Sequence, residues 1–136
     1  MNRAFVLDAN AVLRLLLNEP GAPRVEHLIR DAHRSSTPLL LSVANWGEVF
    51  YLAWQRYGED AARRTVDDLS RLPIQVLPLD LAQARRAAEI KARHQIPYVD
   101  SLAAALASLH QATLVTSDRH FEKLGRHFPI LWLSRS

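Results

Sequence analysis

Four acidic residues stand where they could do chemistry: Asp8, Glu48, Asp100 and Asp118. Asp8 closes the apolar run Ala4-Phe5-Val6-Leu7, and Asp118 follows Leu114-Val115-Thr116-Ser117. Glu48 lies inside Ser42-Val43-Ala44-Asn45-Trp46-Gly47-Glu48-Val49-Phe50-Tyr51, and Asp100 inside Ile96-Pro97-Tyr98-Val99-Asp100-Ser101-Leu102-Ala103-Ala104. Singly, each has an ordinary explanation. Asp is a favoured N-cap, an acid in a first helical turn suits the macrodipole, and a glutamate on a helix suits solvent. Together they make a different pattern, acids at the ends of apolar runs in a chain without cysteine. If they converge on one cleft they repel one another, and some must take up protons unless a cation joins them. Oxygen-only ligation suits Mg²⁺ or Mn²⁺, which keep waters and bind substrate phosphates. The matching chemistry is phosphodiester hydrolysis.

Other chemistries find less support. The six histidines form no HExxH-like pair for zinc. Gly21, Gly47, Gly58 and Gly125 are too far apart to make a phosphate-cradling loop. There is no GxSxG nucleophile elbow. A haloacid-dehalogenase-like phosphohydrolase would place a second Asp two residues after Asp8, where Asn10 stands. A receiver domain would need paired early acids and a late Lys.

The elements that must position these acids alternate along the chain. Strands are expected at Arg3–Leu7, Pro38–Leu41, Ile74–Leu77, Thr113–Thr116 and Ile130–Leu133. Helices are expected at Ala9–Leu17, Ala22–His33, Val43–Tyr57, Asp60–Leu72, Leu81–His94 and Val99–His110. Strands separated by helices of this length imply an α/β fold: a mostly parallel five-stranded sheet with helices on both faces. In such sheets the ligand crevice lies beyond the carboxyl ends of the strands, where strand order reverses. If strands one and four are neighbours, Asp8 and Asp118 share that edge. Asp100 shares a helix face with Ala103, Ala104 and Ala107, a stripe small enough to bring its carboxylate close to a neighbouring element.

Composition sets the frame. With 136 residues, 49% hydrophobic and 23% charged, the chain reads as a single globular domain spanning 1–136 and not as a disordered one. No apolar run is long enough to span a bilayer, the N-terminus lacks a signal-peptide core, and no disulfide can form. A cytoplasmic location without membrane attachment is the expectation. Fifteen of the seventeen basic residues are Arg, which suits bidentate phosphate contacts, although a GC-rich genome produces the same bias. Arg14 and Arg119, close in sequence to Asp8 and Asp118, are the candidates for phosphate contact.

These stretches, in this order, resemble the PIN-domain ribonucleases, especially the VapC-type toxins of toxin–antitoxin modules. The resemblance covers the strand into Asp8, Leu13 to Gly21, the Glu48 helix, the Pro97-Tyr98-Val99-Asp100 helix start, Thr116-Ser117-Asp118-Arg119-His120-Phe121 and the closing Ile130-Leu131-Trp132-Leu133 strand. It implies a PIN-like fold whose catalytic, metal-holding acids are Asp8, Glu48, Asp100 and Asp118, with Asn10, Thr116 and Ser117 as supporting polar groups. Asn10 departs from the Ser or Thr of many members. The implied activity is that of a Mg²⁺- or Mn²⁺-dependent endoribonuclease acting on tRNA or ribosomal RNA and neutralised by a cognate antitoxin. A housekeeping RNA-processing nuclease and a non-catalytic RNA- or partner-binding module are the alternatives.

The Glu48 helix also bears on partners. At 100° per residue, Trp46, Phe50, Ala53 and Tyr57 form one stripe, with Val43 and Trp54 at its edge and Glu48 on the opposite side. If Glu48 faces the crevice, the stripe is expected to serve a homodimer that also binds an antitoxin segment, unless it is simply core.

Overall fold

The computed structural model describes residues 4–134. Its strands are β1 (Phe5–Leu7), β2 (Leu39–Ser42), β3 (Ile74–Leu77), β4 (Thr113–Thr116) and β5 (Ile130–Trp132). Its helices are α1 (Ala9–Leu16), α2 (Ala22–Ser35), α3 (Val43–Tyr57), α4 (Glu59–Ser70), α5 (Leu81–His94) and α6 (Tyr98–Leu109), with a 3₁₀ helix at Arg119–Leu124. These bounds fall within one or two residues of the sequence expectation, save for the 3₁₀ helix, which no periodicity announced. Arg3, the expected start of the first strand, lies outside the described residues.

The strand order is β3-β2-β1-β4-β5, and every pairing is parallel. The chain therefore builds outward from β1 in one direction, then returns to add β4 on the other side. That reversal falls between β1 and β4, whose register pairs Leu7 with Val115. Beyond this pair of strand ends lies the crevice expected of an open α/β sheet. Asp8 and Asp118 both border it, as the neighbouring of strands one and four requires.

Alternation along the strands divides the core into two layers. Leu7, Leu41 and Val115 point to one face, among residues of α1, α2, α3 and α4. Val6 and Leu114 point to the other, among residues of α5 and α6. The α6 helix is more enclosed than a single alanine stripe implies: Leu102, Ala105 and Leu106 are buried along with Ala103, Ala104 and Ala107. A helix apolar all round belongs in an interior, and α6 touches α5, α3 and three strands. Among the described residues no helix is long and apolar enough to cross a membrane.

At the α1–α2 junction the chain turns through Gly21, at φ +96°. A Cβ there would sit 3.2 Å from Leu133 Cβ and 3.3 Å from the Ser134 carbonyl oxygen, so glycine lets the turn press against the end of β5.

Candidate active site

The β1–α1 junction holds Asp8, which is 4% exposed. Its Oδ1 accepts from Ala11 N at 2.8 Å, so it caps α1 as its sequence position suggests. Its Oδ2 does something sequence could not show: it accepts from Thr116 Oγ1 at 2.5 Å, across from β1 to β4. The same hydroxyl oxygen accepts from Asp118 N at 2.9 Å. Thr116 therefore joins the two acids that end the central strands. Next to it, Asn10 Oδ1 accepts from both Ser117 N (2.9 Å) and Ser117 Oγ (2.7 Å). Asn10, Thr116 and Ser117 thus lock the β4 turn onto the start of α1.

Asp100 enters from the first turn of α6, with its side chain 14% exposed. It faces the 3₁₀ turn: His120 Nδ1 lies 3.3 Å from Asp100 Oδ2 and 3.4 Å from Asp118 Oδ1. Asp118 is 34% exposed and caps the turn by accepting from His120 N at 2.9 Å. Asp100, Asp118 and His120 each present a ligand atom within 4.8 Å of the others. Nothing local in the sequence marks His120, since the histidines match no metal-binding spacing and this contact spans 20 residues.

Glu48 projects from α3, and its Oε1 accepts from Asn45 Nδ2 at 3.2 Å. Asn45 is buried, and its Oδ1 has no hydrogen-bond partner among the described residues. The start of α3 is secured by Ser42, whose hydroxyl accepts from Ala44 N at 3.2 Å. Buried Gln83 on α5 donates through Nε2 to Ser42 Oγ (3.4 Å) and to Leu102 O (3.1 Å). One amide thus ties the Glu48 helix to the Asp100 helix. Neither Asn45 nor Gln83 carried a sequence signal beyond being polar in an otherwise apolar stretch.

The electrostatics record the convergence. Burial raises the Asp8 carboxyl from its ordinary 3.8 to about 7, against the lowering effect of its Thr116 and Ala11 hydrogen bonds, and Asp100 and Asp118 add to the rise. Burial also raises Glu48, with Asp100 and Asp118 contributing after the opposing Asn45 bond. Asp100 is raised by burial and then by Asp118, while His120 pulls it down. Even the Tyr51 hydroxyl at the rim is raised by partial burial, then by Glu48 and Asp100. All four acids therefore share one electrostatic neighbourhood. Asp8, Glu48 and Asp100 resist ionisation chiefly through burial and then through neighbouring carboxylates, which fits a divalent cation that would supply the missing counter-charge. Asp100 and Asp118 each offer an oxygen within 4.8 Å of the other's, and Asp8 has both oxygens engaged but retains further lone pairs for a cation or its waters.

Other expected residues are placed differently. Arg14 Nη1 donates to the carbonyls of Pro20 (2.7 Å) and Ser134 (3.3 Å), so its guanidinium fastens the chain to itself instead of facing a phosphate. Arg119 is exposed, 4.4 Å above the Trp132 ring and 3.2 Å from Glu122 Oε1. Ala53 is fully buried and cannot belong to a partner surface. The reason is α4, which folds back on this side of α3 and brings Ala62 and Leu69 into the same apolar cluster. Trp46 and Phe50 are half-buried against that cluster, their rings 5.8 Å apart, and Tyr57 alone of the stripe is 57% exposed.

A parallel α/β domain with acids gathered at its strand-order reversal is the class defined here. The PIN-domain model matches residues 5–127, and the chain belongs to that family. Solved structures agree in fold. VapBC2 of Rickettsia felis, bound to a promoter DNA fragment, superposes with a TM-score of 0.78 at 14% identity over 96% of this chain and 99% of that one. DNA-bound VapBC of Salmonella typhimurium gives 0.74 at 20% identity, covering 96% and 98%. VapC20 of Mycobacterium tuberculosis, described as a sarcin–ricin loop cleaving toxin, gives 0.70 at 18% identity, covering 90% and 95%. No curated protein sequence matches the chain.

Proposed function

We propose that this protein is a divalent-metal-dependent endoribonuclease, the toxin of a VapC-type toxin–antitoxin pair. The convergence of Asp8, Glu48, Asp100 and Asp118 at the β1/β4 reversal carries this reading, with the raised carboxyls as its electrostatic signature. Asp8, Asp100 and Asp118, with Glu48 directly or through water, would hold Mg²⁺ or Mn²⁺. When bound, such an ion polarises a phosphoryl oxygen and activates water for attack on the phosphodiester. The chain's own groups arrange that reaction. Thr116 holds Asp8 and the Asp118 backbone in one place, and Asn10 fixes the turn that carries Asp118. Asn45 holds Glu48 Oε1, leaving Oε2 to take a proton from the attacking water.

Partners follow from the same likeness, since the neighbours named above include toxin–antitoxin complexes. An antitoxin segment covering the acids, and a homodimer, are the proposed assemblies. Exposed apolar groups on α3 and about the β3–α5 connection support a dimer surface, among them Val43, Tyr51, Leu79 and Leu81. They replace the buried Ala53 as its anchors.

The decisive assay is cleavage of tRNA, ribosomal RNA and a sarcin–ricin loop oligonucleotide with Mg²⁺ or Mn²⁺. Wild-type protein should cut at least one of them, EDTA should stop it, and Asp100→Asn should reduce cleavage by orders of magnitude while the circular-dichroism spectrum stays native. Cleavage that persists in EDTA or in Asp100→Asn overturns the reading.

A further inference from the structure

A second depression opens beside the acids. Its volume is about 930 Å³, and Gly21, Arg24, His27, Arg119 and Trp132 contribute to its walls. It adjoins the crevice by construction, because Trp132 pairs with Thr116 in the β4–β5 register and Arg119 follows Asp118. Adjacent strands lie about 4.8 Å apart, so the Trp132 backbone sits one strand spacing from the threonine that joins Asp8 to Asp118.

The walls are cationic and their seam is fastened. Arg24, in the first turn of α2, is exposed and has no ion-pair partner among the described residues. The Arg119 guanidinium lies over the Trp132 ring, which holds it at the surface with Glu122 as its acidic neighbour. His27, one turn beyond Arg24, has Asp31 3.3 Å away. Beneath them, the close approach of Gly21 to Leu133 and Ser134, with Arg14 donating to the carbonyls of Pro20 and Ser134, clamps the α2 turn to the end of β5. The Arg14 that sequence proximity nominated for phosphate is therefore the clamp, and Arg24, distant in sequence from the four site acids, is a cation without an ion pair among the described residues.

We infer that this depression seats single-stranded RNA flanking the cleaved bond, with Arg24 and Arg119 on successive phosphates and the Arg119–Trp132 pair as a flat face for a base. The inference rests on the nuclease reading above. An RNA strand is favoured because a polyanion held at the acid crevice has this cationic wall as its continuation, and guanidinium groups and aromatic rings together are what single strands use.

The test is fluorescence anisotropy of a labelled, unstructured RNA of about a dozen nucleotides against the full chain carrying Asp100→Asn. Adding the exposed Arg24→Glu should weaken binding by roughly tenfold or more, and should lower the slope of log affinity against log salt by about 0.7 for the lost phosphate. Trp132→Leu should weaken it about tenfold and Trp132→Phe should restore most of it, as stacking requires. Binding by the Arg24→Glu protein that equals its parent in affinity and salt slope overturns the inference. So does a loss confined to the purified antitoxin, which would give the depression to a polypeptide. Wild-type RNA cleavage, measured separately, decides the nuclease reading: normal cleavage with unaffected Arg24→Glu binding sinks only this site.

Discussion

The two sides of the crevice are built on different terms. On the β1/β4 side, Asp8 is buried with both oxygens hydrogen-bonded, Thr116 links it to the Asp118 backbone, and beside them Asn10 accepts twice from Ser117. On the helix side, Glu48 has one bond from Asn45, Asp100 has one contact with a solvent-exposed imidazole, and Asn45 keeps an unpartnered oxygen. The first side comes from adjacent strands of one sheet, so its geometry is set by ladder register. The second comes from two helices joined through Gln83, where side-chain packing alone sets the distance. The rigid side therefore carries the larger electrostatic penalty and the helix side retains the freedom to adjust to a substrate.

The largest break in this comparison is expected from pH. Because the native Asp8 carboxyl titrates near 7 and the unfolded one near 3.8, the native state holds a proton that the unfolded chain releases between those values. Stability of the metal-free protein should thus fall as pH rises through this window, by up to about 1.4 kcal/mol per unit. The raised Glu48 and Asp100 act in the same direction. Thermal melts in EDTA at pH 5 and pH 7.5 should show the drop, and Asp8→Asn, which keeps the helix cap, should remove most of it. An unchanged melting temperature in the wild type between those pH values would refute the buried-acid account. Added Mg²⁺ should recover stability at the higher pH by binding the native state.

A smaller effect sharpens the contrast on the rigid side. Thr116→Val removes a buried hydroxyl that donates to Asp8 and accepts from Asp118 N, at a cost of about 1–3 kcal/mol. It should also carry the pH-driven loss of stability to higher pH, since Asp8 loses a bond that favours its charged form and its native carboxyl is raised further. Thr116→Ser should restore both. Equal denaturant midpoints for Thr116→Val and wild type would show that the network contributes nothing.

The smallest stability change is expected on the helix side. Asn45→Leu removes an amide that is buried with one oxygen unpaired, so stability should stay within about 1 kcal/mol of wild type. RNA cleavage should nevertheless fall several-fold in kcat with little change in KM, because Glu48 loses its orienting bond while substrate contacts remain. Full kcat in a folded Asn45→Leu protein would remove Asn45 from the site.

How far the sequence could be read differs between these regions. The strands are legible as short apolar runs, three of them flanked by Pro38, Pro73, Pro78 or Pro129, and Asp8 and Asp118 are legible because they follow two of those runs. Asp100 is marked by the alanine face it shares on its helix, whereas the direction of Glu48 rests on the family resemblance, since its helix has no such local mark. The partner stripe on α3 follows from helical angle alone, which carries no information about α4 packing over Ala53. Arg14 and Arg119 stand near the acids along the chain, yet Arg14 turns back onto two backbone carbonyls while Arg119 lies over the Trp132 ring.

Sequence by itself determined the alternation of elements, the two-layer burial of the strands and the placement of acids at strand ends, because periodicity and capping are local properties. Tertiary structure alone decided the β1–β4 neighbourhood, the Thr116 link between Asp8 and Asp118, the seat of His120 between two carboxylates and the opposite fates of Arg14 and Arg24. Each of these depends on residues far apart in the chain, and a side chain's partner across a sheet or between packed helices is set by register and packing that no local pattern encodes.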